Sequence, residues 1–159
     1  MTRVHVPVHL RWADLDAYDH VNNVEVLRLL EEARVRAFWR SGDDGDGVDP
    51  GMALIDATAG AETMTMIARQ EIEYRLPISY GRRPLDVQVW LGRLGGSSLE
   101  ACYEVRTPAG VEPAALYARA STTIVLVDAR TGRPRRISDD ERAAWTRYLE
   151  EPVGFSRRG

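Results

Sequence analysis

The chain has 159 residues and 17.8 kDa, with 44% hydrophobic residues, 28% charged residues, a net charge of −3 and a pI of about 5.7. These values exclude disordered, collagen-like and low-complexity classes, argue against a general nucleic-acid binder, and suit one domain over residues 1–159. No apolar run approaches the roughly 20 residues of a membrane span, residues 1–11 hold no apolar signal core, and the single cysteine excludes an internal disulfide framework, so a cytoplasmic protein with no membrane partner is expected.

Val4, Val6, Val8 and Leu10 alternate with His5, Pro7 and His9, which predicts a first strand. Pro7 has no N–H for a ladder and places that strand at an edge or bulge. His5 and His9 face one way, but no cysteine or carboxylate at metal spacing joins them, so a solvated face is expected. Residues 21–40 predict one long helix. Glu25, Arg28, Glu32 and Arg36 form a charged stripe, and Val26, Leu27, Leu29, Leu30, Ala33, Ala37 and Phe38 a wide apolar face that other elements must cover. Two caps compete at its start: Asp19 alone, or Asn22 with Glu25 in a capping box. Glu31 falls outside the stripe. Its expected role is an ion pair with Arg34 or Arg28 rather than a catalytic base.

Residues 42–51 form an acidic, glycine-rich loop. It lacks the glutamate of a calcium loop, because Ile55 stands where a twelve-residue loop would end. Met52–Ala57 predicts a short strand. From Met64 to Leu76 a long alternation predicts a half-buried strand, followed by strands over Leu85–Leu91, Leu99–Val105 and Ala114–Val127. Gly95, Gly96 and Ser97 mark one turn, and Thr131 and Gly132 another. Cys102 has no neighbour that would activate its thiol, so it is expected to be inert. Ser138 and Glu141 form a capping box opening a terminal helix through about Leu149. Strands joined by short turns are antiparallel, so the expected class is α+β, an antiparallel sheet wrapped around one helix.

Chemistry concentrates between the first strand and the long helix. In Arg11–Asn23, seven of thirteen residues are Asp, His, Asn or Arg. A helix N-terminus presents unpaired N–H groups and a positive dipole end. A carboxylate beside it supplies a base or nucleophile next to an oxyanion site, the parts that acyl transfer needs. Capping and turn formation account for the same residue types without any chemistry.

Asp14-Leu15-Asp16-Ala17-Tyr18-Asp19-His20-Val21-Asn22-Asn23, followed by Leu29-Leu30-Glu31-Glu32-Ala33-Arg34, resembles the hotdog-fold thioesterases of the 4-hydroxybenzoyl-CoA thioesterase type. It is also similar to acyl-carrier-protein thioesterases with a D-x-x-x-H-V-N-N segment. Ile72-Glu73-Tyr74-Arg75-Leu76-Pro77 resembles the family's strand entering a Y-x-x-P bend. The resemblance implies a hotdog fold: a curved antiparallel sheet around one central helix, with a C-terminal helix added here. It also implies self-association as a dimer or tetramer, with sites at subunit interfaces. Carried over residue by residue, Asp16 is the catalytic carboxylate, Asn23 supplies the backbone oxyanion donor, and His20 orients carbonyl or water. Asn22 and Tyr18, in the same segment, and Arg82 and Arg83, beside the bend, become substrate-binding candidates. Arg82, Arg83 and Arg93 flank strand ends and could hold the anionic nucleotide of CoA, but with so many arginines in the chain a solvated rim is the plainer reading.

Three positions depart from the pattern. Asp19 stands where glycine is usual before the histidine. Tyr18 stands where the carrier-protein enzymes have asparagine, and Gly81-Arg82-Arg83-Pro84 replaces the usual Gly-Asp after the bend. The implied reaction is hydrolysis of an acyl-CoA thioester to carboxylic acid and free CoA, with Asp16 as general base or nucleophile and no metal or cofactor. The alternatives are an acyl-carrier-protein thioesterase, a non-catalytic acyl-CoA-binding protein, or a hotdog dehydratase. A DNA-reading regulator would need a helix-turn-helix, for which the segments outside residues 11–149 leave no room.

Overall fold

The computed structural model describes residues 2–40 and 44–157. Five strands form one antiparallel sheet in the order β1-β3-β4-β5-β2. They are β1 (Val4–Val8), β2 (Thr63–Tyr74), β3 (Leu85–Leu94), β4 (Ser98–Arg106) and β5 (Leu116–Asp128). Val4, Val6 and Val8 are buried in β1 as their alternation requires. β1 is an edge strand, so Pro7 withholds no ladder donor from an inner position.

The long helix, α1, runs from Asn23 to Phe38 between β1 and β2. It buries Val26, Leu29, Leu30, Ala33, Ala37 and Phe38 against the sheet's Val87, Val89, Leu91, Leu99, Ala101, Tyr103, Val105, Ala120 and Ile124. The opposite side, with Arg28, Glu31 and Glu32, stays exposed, so the sheet wraps α1 on one side. Arg28 pairs with Glu25 at 3.8 Å, whereas Arg36 leaves the expected stripe for Asp46 at 3.2 Å. Glu31 makes no ion pair among the described residues; Arg34 instead turns to the Tyr103 hydroxyl at 3.4 Å.

Two expected elements differ. Met52–Ala57 is not a strand. Asp49 accepts a hydrogen bond from the Gly51 N–H and Pro50 presets the turn, so Pro50–Met52 is a single 3₁₀ turn, and Ile55 makes one isolated bridge to Trp39. The strand over residues 63–74 is a long exposed edge rather than half-buried. A bulge between Ile67 and Arg69 breaks its alternation, and Met64, Met66 and Ile67 are all exposed. The acidic loop's residues 41–43 lie outside the described residues.

α2 (Asp139–Trp145) has the expected capping box, with Ser138 Oγ accepting from the Glu141 N–H and Glu141 accepting from the Ser138 N–H. It stops earlier than expected and passes into a 3₁₀ turn over Thr146–Tyr148. The segment after it crosses the outer face of the sheet. Trp90 Nε1 donates to the Glu151 carbonyl at 3.0 Å, and the Ser156 N–H donates to Glu73 at 2.8 Å. This strap buries Trp90 and Cys102, and burial pushes the Cys102 thiol up to about 11, which agrees with an inert cysteine.

Candidate active site

Residues 14–22 fold back on themselves as a small hairpin just before α1. The Asn22 N–H donates to the Asp14 carbonyl at 2.8 Å, Leu15 bridges Val21, and the Asp16 N–H donates to the His20 carbonyl at 2.8 Å. At its tip, Asp16 Oδ1 accepts from the Tyr18 N–H at 2.8 Å and from the His20 N–H at 3.3 Å. Asp16 Oδ2 accepts no hydrogen bond among the described residues. Asp19 has φ 60, the left-handed region that favours glycine and that aspartate tolerates better than most. Asp19 therefore shapes the hairpin tip and does not cap α1.

The three acids of this loop have separate environments. Asp14 is buried and accepts from the Arg11 N–H at 2.7 Å and the Arg11 guanidinium at 3.0 Å. Asp16 is half-buried and Asp19 exposed. Asn22 caps α1 through Oδ1, which accepts from the Val24 N–H at 3.0 Å, so that oxygen is committed to the helix. The expected reciprocal bond from Glu25 is absent; Glu25 pairs with Arg28 and Arg11. As the first helical residue, Asn23 has an N–H with no intrahelical acceptor, and nothing among the described residues takes it.

The segment after β2 closes over this helix start. Val21 N–H donates to the Ile78 carbonyl at 2.8 Å, and His20 bridges Ser79. Tyr74 Oη donates to the Asn23 carbonyl at 2.9 Å, and partial burial holds the phenol above its ordinary pKa, hence protonated. The peptide group between Asn23 and Val24 is thus fixed at both ends, its N–H by Asn22 and its carbonyl by Tyr74. Sequence reasoning assigned Tyr74 no role. The available signal was its place as the tyrosine of the Y-x-x-P bend, closing an alternating strand three residues before Pro77.

A cleft of about 270 Å³ opens at this point, lined by Val21, Asn23, Val26, Tyr74, Leu76, Pro77, Ile78 and Tyr117 among others. Asn23 is the one sequence-derived candidate in its wall. Asp16 sits one hairpin rung beyond Val21, with His20 opposite it; Tyr18 is 82% exposed and does not line this cleft. Arg82 and Arg83 lie on the loop entering β3 and are exposed. Larger grooves lie elsewhere: one of about 750 Å³ between the residue 54–63 segment and α2, and one of about 780 Å³ along the solvent side of α1, which includes Glu31. Neither reaches the free amide of Asn23. No cluster of three or more His, Cys, Asp or Glu among the described residues has metal-binding geometry.

A family model for the thioesterase-like superfamily matches residues 10–145, and the chain belongs to that superfamily. Its sheet and helix arrangement is the hotdog fold, and membership of the superfamily supports thioester hydrolase activity. Among solved structures it is similar to a thioesterase of Thermus thermophilus complexed with coenzyme A and zinc: 28% identity, TM-score 0.67, 94% of this chain and 96% of that one covered. It is similar to a candidate acyl-CoA thioesterase of Xanthomonas campestris at 29% identity and TM-score 0.61, covering 81% and 96%. A predicted thioesterase of Bacillus stearothermophilus shares the fold at 22% identity and TM-score 0.71, covering 96% and 100%. A search of curated proteins gave no significant sequence match. No helix among the described residues is long and apolar enough to cross a membrane.

Proposed function

We propose that residues 1–159 act as one acyl-CoA thioesterase domain, converting thioester and water to carboxylic acid and free CoA. The observation that carries this reading is the Asn23 amide, unpaired among the described residues and held at the positive end of α1 in the wall of an apolar cleft, beside a hairpin that presents the Asp16 carboxylate. The thioester oxygen accepts from the Asn23 N–H as negative charge develops on it. Asp16 has two routes. As general base it takes a proton from water, the water oxygen adds to the carbonyl carbon, and the C–S bond breaks as the sulfur takes up a proton. As nucleophile it forms an anhydride with release of the CoA thiolate, and water then cleaves the anhydride. His20, opposite Asp16, orients the water or the carbonyl. The acyl chain occupies the cleft against Tyr74, Leu76, Ile78 and Tyr117. The buried, unpaired Cys102 suits a reducing, cytoplasmic setting.

A second copy completes the particle in this reading. β2 is a twelve-residue edge with unpaired backbone groups and exposed Met64, Met66 and Ile67. Sedimentation at micromolar concentration is expected to show a dimer or tetramer; a species of 17.8 kDa alone would remove this part of the proposal.

One observation favours a non-catalytic acyl-CoA-binding protein instead: Asp16 Oδ1 already serves the hairpin turn. A thiol-release assay over a panel of aliphatic and aromatic acyl-CoAs decides. Release that depends on enzyme concentration supports hydrolysis, whereas binding of the panel without release supports the second reading.

A further inference from the structure

The strap on the outer face of the sheet starts far from the cleft but finishes against its wall. It is docked at several points on the way. Leu149 bridges Leu91, and the Glu150 N–H donates to the Leu91 carbonyl at 2.9 Å. The Arg3 guanidinium lies over the Trp90 ring, 3.9 Å from its centroid, and Arg3 Nε donates to Glu150 at 3.0 Å. Gly92 gives the strap room: a Cβ there would stand 2.8 Å from Cys102 Sγ and 3.1 Å from Pro152 Cα, closer than packed atoms come.

Ser156 then closes on the end of β2. Its N–H donates to Glu73 Oε2 at 2.8 Å, and its Oγ donates to Glu73 Oε1 at 3.3 Å. Arg75 and Arg119 donate to Ser156 Oγ at 3.4 and 3.3 Å, and to Glu73 Oε1 at 3.0 and 2.9 Å. Glu73 and Arg75 are the two chain neighbours of Tyr74, and Arg75 stands in the cleft wall with it. Side chains alternate across a strand, so the strap grips Glu73 on the outer face while Tyr74 reaches the other way, to the Asn23 carbonyl.

β2 is an edge strand with β5 as its one neighbour in the sheet, and Tyr74 is its last residue. A strand end paired on one side opens at low cost, and a hydrogen bond carried by that end is only as fixed as the end itself. The strap is a second attachment at this point. We propose that residues 149–156 are a positioning strap for Tyr74: Ser156, by clamping Glu73 and Arg75, fixes the end of β2 so that Tyr74 Oη keeps the Asn23–Val24 peptide group set against the cleft. This deepens the thioesterase reading above and rests on it. Ser156 touches no reacting atom and acts through Tyr74. A strap that only covered Trp90 and Cys102 would change stability without any coupling to Tyr74.

The test compares Ser156→Pro, which removes both the N–H and the hydroxyl, with Ser156→Ala, which keeps the N–H. Thiol release at saturating acyl-CoA is measured for each alone and for Ser156→Pro combined with Tyr74→Phe, with circular dichroism as the check on folding. Loss of one hydrogen bond is worth about threefold in rate. Ser156→Pro is expected to lower kcat about threefold with KM little changed, and Ser156→Ala to keep most of the wild-type rate. In the Tyr74→Phe background Ser156→Pro is expected to have no further effect. An equal fall in both backgrounds, or an unchanged kcat in folded Ser156→Pro, overturns the proposal. Hydrogen exchange reads the clamp without activity. The Arg75 and Leu76 N–H groups donate to the Tyr117 carbonyl at 2.7 and 3.1 Å, and both should exchange about threefold faster in Ser156→Pro, with β4 unchanged. If wild type releases no thiol and this exchange still speeds up, the hydrolytic reading fails and the clamp stands. If the exchange is unchanged, the clamp is overturned whatever the activity.

Discussion

The two ends of α1 are built to opposite specifications. At its C-terminal end Phe38 packs edge to face on Trp145 at 6.3 Å, and Trp145 Nε1 donates to the Met52 carbonyl at 3.1 Å. Tyr148 Oη donates to Asp49 at 2.8 Å, and burial together with that carboxylate pushes the hydroxyl up to about 12, so it remains a donor. Phe38, Met52, Trp145 and Tyr148 are all fully buried. At the N-terminal end the helix starts beside a cleft, with an amide left unpaired among the described residues and the nearby backbone pinned by side chains. The closed end thus supplies stability, and the open end leaves a donor free at the positive pole of a helix anchored elsewhere.

The largest effect should come from the closed end. Trp145→Ala removes a fully buried indole and leaves a cavity, with an expected loss of about 3–5 kcal/mol by denaturant unfolding. Whatever fraction remains folded should still turn over substrate with near-normal kcat, since no cleft residue is touched. A stable Trp145→Ala protein with a collapsed kcat would break the comparison. At the open end the balance should reverse. Tyr74→Phe deletes one hydrogen bond to the Asn23 carbonyl, worth about 1 kcal/mol, which is about 3- to 10-fold in kcat with KM little changed. Loss of stability with kcat intact would reduce Tyr74 to packing.

The smallest effect concerns the strap over the outer face of the sheet. The Ser156 N–H, then Arg75 and Arg119, hold the Glu73 carboxyl down to about 2 from an ordinary 4.5. A depressed acid favours the folded state above about 4.5, and that contribution fades as pH falls towards about 2. Wild type should therefore melt slightly above Glu73→Gln near neutral pH, with the two melting curves converging in acid. A gap unchanged down to about pH 2 would show that charge is not what anchors the strap.

Where a residue pattern had one physical reading, the sequence was a sufficient guide. The β3 alternation, the Ser138–Glu141 box and the wide apolar face of α1 each had one such reading, and each element formed. The edge character of β2 was not legible, because alternation reports side-chain period and not the number of neighbouring strands. The bulge after Ile67 then shifted that period. Met52–Ala57 failed because a capping aspartate and Pro50 outweigh its five apolar residues. At the candidate site the carboxylate and helix start were legible as a segment. The division of labour within it was not: Asp14 neutralising Arg11, Asp19 at positive φ and Asn22 capping all depend on how the hairpin closes. Tyr74 approaches Asn23 across 51 residues of sequence, a contact no local pattern encodes.

The central claim is that the Asp16 carboxylate acts chemically at the open end of α1. The most direct measurement is the thiol-release rate of Asp16→Asn against wild type with saturating acyl-CoA. Asparagine keeps an oxygen able to accept from the Tyr18 and His20 N–H groups, so the hairpin survives while the negative charge is lost. The account predicts an unchanged unfolding transition and a fall in kcat of at least about 10²-fold. Turnover near the wild-type rate in the folded Asp16→Asn protein would contradict it.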